Sequence, residues 1–198
     1  MLKLHFSGQR RCVLLTAATL AAAPLVGPSL ARAQVQPSAP AAPPPEIAAV
    51  WPTALLQGQG RLRFFGLQVY DIRLWAARGR VGTDDWDQRA LALEIEYRRA
   101  LAGRQIAERS LEEMRRAGPV DTAAAGRWML TMTRLFPDVN AGDRITGRHE
   151  PGVAADFFVN GSPRGEVRDA EFARLFFGIW LAPWTSEPKL RSALLGAV

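Results

Sequence analysis

Hydrophobic positions recur every second residue in some stretches of this chain and every third or fourth in others, and the switches between the two periods mark its elements. Across residues 58–75 the alternation predicts a long β-hairpin with Leu62 and Phe64 on one face of the first strand and Arg61 and Arg63 on the other. On its second strand Tyr70, Ile72 and Leu74 share a face, which places a phenol in line with aliphatic side chains, and such a phenol wants a polar partner. Leu91, Leu93, Ile95 and Tyr97 alternate with Ala92, Glu94 and Glu96, the pattern of an antiparallel strand with one face in the core and the other in water. Residues 143–149 and 153–160 read as two further strands, and Asn160-Gly161 starts a tight turn into Gly165-Glu166-Val167.

The helical period appears over residues 103–116, where Ala107, Leu111 and Met114 form a stripe with Ile106 beside it and Gly118-Pro119 ends the run. A second helix is predicted over 122–136, carrying Trp128, Met132, Leu135 and Phe136 along one side. Those large side chains pack a helix on a sheet or line an apolar ligand cavity. Asp169 is placed to cap a helix bearing Phe172, Leu175, Phe176 and Ile179, which Pro183 stops, and a last helix over 187–195 would be capped by Ser186. Strands interspersed with helices and no internal repeat predict an α+β domain, an antiparallel sheet with helices gathered on one side.

The first 49 residues modify the composition. Residues 1–33 carry Lys3, Arg10 and Arg11, an apolar run from Val13 and the small-x-small sequence Ala31-Arg32-Ala33, which predicts a secretory signal peptide cleaved before Gln34 and a periplasmic product. Pro24, Gly27 and Pro28 weaken a spanning helix there. Residues 34–49 are rich in Pro and Ala and read as a tether, leaving 50–198 as one domain. Removing the four basic charges of the signal from the 25 Lys and Arg leaves 21 against 19 acidic residues, a net of +2 in place of +6. So nearly neutral a product gives no electrostatic case for nucleic acid.

Candidate chemistry narrows in the same way. The sole cysteine, Cys12, and one of two histidines, His5, leave with the signal. His149 alone is poor metal-site material, and no Gly-x-Ser-x-Gly elbow is present to supply a nucleophile, so the sequence implies no metal or redox cofactor and no Ser-His-Asp hydrolase. Gly58 and Gly60 lack the third glycine and the following helix of a dinucleotide fingerprint.

The order of a Gly-x-Gly turn at Gly58 and Gly60, a basic strand, Val69-Tyr70 and Leu74-Trp75 resembles the chalcone isomerase-like superfamily, in particular its bacterial exported members. The segments Leu93 to Tyr97, Phe136-Pro137-Asp138-Val139, Phe157-Phe158-Val159-Asn160-Gly161 and Phe176 to Leu181 follow in the order of that group, so the resemblance covers roughly residues 55–195. It implies an open-faced β-sandwich with a ligand between sheet and helices. It also implies an arginine on the first strand and a hydroxyl residue on the next, used by plant members to stabilise an oxyanion and by fatty-acid-binding members to hold a carboxylate. By position the hydroxyl residue is Tyr70 and the arginine is Arg61 or Arg63. A guanidinium and a phenol at the end of an apolar pocket suit a carboxylate through charge-assisted hydrogen bonds. The expected function is therefore non-catalytic binding of a fatty acid or similar carboxylate. The alternatives are an intramolecular lyase or isomerase acting on an unsaturated ketone and an envelope interaction protein without a ligand.

Overall fold

The computed structural model describes residues 41–196; the expected signal peptide and residues 34–40 of the expected tether lie outside them. Six strands, β1 (Leu55–Phe64), β2 (Leu67–Ala76), β3 (Leu91–Tyr97), β4 (Arg144–Glu150), β5 (Ala154–Val159) and β6 (Ser162–Val167), form one antiparallel sheet in sequential order. After a four-residue helix α1 (Pro45–Ala48) at the start, helices α2 (Gly103–Met114) and α3 (Thr122–Leu135) interrupt the meander between β3 and β4, and α4 (Ala170–Leu181) and α5 (Pro188–Leu195) follow β6. This is the expected α+β architecture, and α2 to α5 share one face of the sheet, where they bury Ile72, Leu74, Leu93, Phe157 and their neighbours.

The element ends follow local chemistry. Asp121 accepts a hydrogen bond from the Ala124 N–H at 2.9 Å and Asp169 one from Phe172 at 3.0 Å, each satisfying an N–H that the first helical turn leaves without a partner. The last helix begins one residue later than expected, with Glu187 and not Ser186 in the cap position and no side-chain cap bond. Asn160 and Gly161 turn β5 into β6 with φ of 49° and 84°, the doubly left-handed geometry that the Asn-Gly pair predicts. The expected Gly-x-Gly turn is corrected: Gly58 and Gly60 lie inside β1, where a Cβ would overlap the Leu194 carbonyl and the Leu190 side chain of α5. Their function is close approach of a helix to a strand.

The opposite face of the sheet differs from expectation. Residues 45–48 of the expected tether are helical, and Ile47 packs on Trp75, Ala92 and Ala54 with no exposed surface, so the domain starts before residue 50. Glu46 is buried with it. Its carboxylate accepts from Arg144 at 2.9 Å and from the Thr146 hydroxyl at 2.7 Å, while Glu94 accepts from the Trp75 indole at 2.8 Å and from Arg73 at 3.1 Å. β3 is therefore buried on both faces over Ala92 and Glu94, in place of the half-exposed strand expected, because these polar side chains satisfy one another beneath α1 instead of facing water.

Candidate ligand-binding site

Between the sheet and helices α2 and α4 lies a cavity of about 430 Å³ with predominantly apolar walls, a size typical of small-ligand sites. Its sheet side includes Leu62 of β1, Tyr70 of β2 and Tyr97 of β3, all on the face that bears the core, and its helical side includes Ile106 of α2 and Phe176 and Trp180 of α4. The β1–β2 hairpin sets this arrangement through an irregularity. Phe64 pairs with Leu67 and Arg63 with Gln68, a register that would bring Arg61 opposite Tyr70. The ladder instead resumes with Leu62 opposite Tyr70 and Arg61 opposite Asp71, leaving Val69 as an extra residue. Such a bulge lets two successive residues point the same way, and Val69 and Tyr70 both line the cavity.

Tyr70 and Tyr97 are cross-strand partners whose rings meet edge to face at 6.1 Å. Burial raises both phenol pKa values well above the ordinary 10, and for Tyr97 the neighbouring Tyr70 adds to the rise. Both therefore stay protonated. The Trp180 indole donates to the Tyr70 oxygen at 2.8 Å, which fixes the phenol while leaving its proton free to donate elsewhere. The cavity thus contains un-ionised hydroxyl donors suited to a carbonyl or carboxylate oxygen.

Charge enters at the rim, where Phe64, Arg99, Gln105, Arg109 and Glu187 line the cavity and are also exposed. Arg109 is engaged by Glu112 and Glu113 on its own helix. Arg99, two residues past the end of β3, has no ion-pair partner among the described residues. Glu113 is buried and lines the same wall, with Oε2 lacking a hydrogen-bond partner and Arg116 at 3.5 Å. Among the described residues no group of three or more His, Cys, Asp or Glu is placed to hold a metal ion.

A family model described as chalcone isomerase-like matches residues 47–196 of the chain. The chain belongs to the chalcone isomerase-like family. An uncharacterized protein of Haemophilus influenzae is 30% identical over 130 residues, a match covering 65% of this chain and 61% of that protein, so the chain accounts for about three fifths of its relative's length. Among solved structures, an Arabidopsis thaliana fatty-acid binding protein superposes with a TM-score of 0.58 at 14% identity, covering 72% of this chain and 87% of that one. At that identity the likeness is one of fold: the open antiparallel sheet with helices packed on it.

Within this chalcone isomerase-like fold the expected site residues divide. Tyr70 lines the cavity. Arg61 does not: it lies on the opposite face, where its guanidinium holds both oxygens of Asp71, one of them at 2.9 Å, and Arg98 joins the same carboxylate. Arg63 is exposed near the hairpin tip and does not line the cavity either. The physical reason is the bulge at Val69, which gives Tyr70 a leucine partner and Arg61 an aspartate partner.

Sequence reasoning missed Tyr97 as a site residue, although its inward position on β3 was legible, and it missed Arg99. It also missed the mixed stripe of Ile106 with the polar Arg109, Ser110 and Glu113 on α2. That stripe runs at helical spacing beside the apolar one, and its polar members concealed it.

Proposed function

We propose that this protein binds a fatty acid or comparable apolar-tailed carboxylate, without catalysis, in the cavity between sheet and helices, after export to the periplasm. The observation that carries this reading is the combination in one cavity of apolar walls, two un-ionised phenols and an arginine without an ion-pair partner among the described residues. The walls accept a hydrocarbon chain, Tyr70 and Tyr97 donate to carboxylate oxygens, and Arg99 supplies the positive charge that the family resemblance assigned to Arg61 or Arg63. Membership of the chalcone isomerase-like family and the shared fold of the Arabidopsis fatty-acid binding protein support it.

Export rests on the basic start, the apolar run and Ala31-Arg32-Ala33. N-terminal sequencing of periplasmic material tests it and is expected to begin at Gln34; recovery of the unprocessed chain would refute it. Native mass spectrometry of the processed protein, followed by lipid extraction, tests the ligand: a bound carboxylic acid supports the reading, and an empty protein that takes up no added fatty acid refutes it.

The paired phenols favour a second reading, in which the same donors stabilise an enolate oxygen during isomerisation of an unsaturated ketone. Turnover of such a ketone, lost in Tyr70→Phe, separates it from the first.

A further inference from the structure

The turn that joins β1 to β2 consists of two residues, Phe65 and Gly66, with φ of 48° and 79°. Asn, Asp or Gly ordinarily fills the first of these positions, because a left-handed backbone crowds any larger side chain. Here it is a phenylalanine, 91% exposed, flanked by Phe64 at 62% and Leu67 at 59%. The Phe64 and Phe65 rings meet edge to face at 4.5 Å. An aromatic residue held in a strained conformation, with its ring in solvent, points to a contact outside the chain.

The surroundings say what that contact is. Arg63 precedes the tip, and the Arg98 N–H donates to the Val69 carbonyl at 2.9 Å, which brings the segment after β3, with Arg99, against the hairpin. Neither Arg63 nor Arg99 has an ion-pair partner among the described residues, whereas the nearby acids Asp71 and Glu96 are already held by Arg61, Arg73 and Arg98. An apolar tip fringed by guanidinium groups that outnumber the one unpaired rim carboxylate among the described residues, Glu187, complements an anionic lipid surface: the rings enter the acyl boundary and the charges stay at the phosphates. Phe64 belongs both to the tip and to the cavity wall, and Arg99 lines the cavity too, so a bilayer that receives the tip lies against the cavity mouth.

We propose that residues 63–67, with Arg99, form a docking finger for anionic membranes. The finger seats the cavity mouth on the bilayer, so that a lipid-like ligand passes between them without crossing bulk water. The transfer step rests on the ligand reading above, and the docking step does not.

The test compares parent and variant proteins for flotation with vesicles of phosphatidylglycerol and phosphatidylethanolamine (1:3) or of phosphatidylcholine alone. Phe65→Asn suits the left-handed turn, so it is expected to melt at or above the parent temperature while its partitioning onto anionic vesicles falls about tenfold. Arg63→Gln should weaken the same binding and flatten its salt dependence. Both variants should bind a soluble fluorescent fatty acid in the absence of vesicles as the parent does, which separates docking from the cavity. Failure of parent and variants alike to bind that probe would sink the ligand reading and leave the flotation result standing for docking. Equal flotation of parent and Phe65→Asn, or equal binding to neutral vesicles, would overturn docking. So would a lipid-free dimer that Phe65→Asn converts to monomer, which would make the finger an interface between copies of the chain.

Discussion

Trp180 on α4 donates its indole N–H to the phenol oxygen of Tyr70 on β2 at 2.8 Å, so one hydrogen bond joins a helix and a strand that both wall the cavity. Tyr70→Phe removes the acceptor and leaves a buried indole donor without a partner. The expected loss is about 1–3 kcal/mol of stability, with a further ~1 kcal/mol of ligand affinity for the missing phenol donor. Urea denaturation reads the first and ligand titration the second; unchanged stability would show that the bond is not formed.

Asp71 lies on the opposite face and yields a pH prediction. Hydrogen bonds from Arg61, then Arg98, hold its carboxyl at about 2, below the ordinary 3.8. A depressed carboxylate contributes stability that is present above the unfolded value and is lost as pH falls toward the folded one. Stability is therefore expected to fall between about pH 4 and pH 2 in the parent and to fall less steeply in Asp71→Asn. The two proteins should bind ligand equally at neutral pH, because Asp71 does not line the cavity.

His149 is buried against Phe177, ring centroids 4.9 Å apart, with Nδ1 donating to the Arg89 carbonyl at 3.1 Å. Burial lowers its pKa below the ordinary 6.5, partly offset by that hydrogen bond. The unfolded chain consequently binds a proton that the folded chain resists. Stability is full above about pH 6.5 and declines as pH drops below it, and His149→Gln should remove this part of the decline when unfolding is followed from pH 8 to pH 5.

Ile47 tests where the domain begins. Because residues 45–48 are part of the fold, Ile47→Ala should cost about 2–5 kcal/mol, as for other buried aliphatic truncations. Were they a tether, the substitution would leave the denaturation midpoint where it was.

The periodicities of the sequence made the sheet and the helices legible because β2 to β5 each have one face on a single large core. They failed for β3 at Ala92 and Glu94, where burial on the second face depends on α1, a helix far earlier in the chain that carries its own buried carboxylate. The site was half legible for a related reason. Alternation set Arg61 and Arg63 apart from Leu62 and Phe64, as the structure has it. Which of those sets meets Tyr70 is decided by one extra residue, Val69, and alternation within a strand does not register a bulge in its partner. Arg99 follows β3 outside any periodic pattern, so only the folded hairpin reveals its position at the rim.

Titration of a fluorescent fatty acid against the parent, Arg99→Gln and Arg61→Ala decides which arginine anchors the carboxylate. One site per chain is expected, with a loss of about tenfold to a hundredfold in affinity for Arg99→Gln, as for removing a hydrogen bond to a charged group, and parent-like binding by Arg61→Ala. Loss of binding in Arg61→Ala with parent-like binding in Arg99→Gln, each variant shown to be folded, would contradict this expectation.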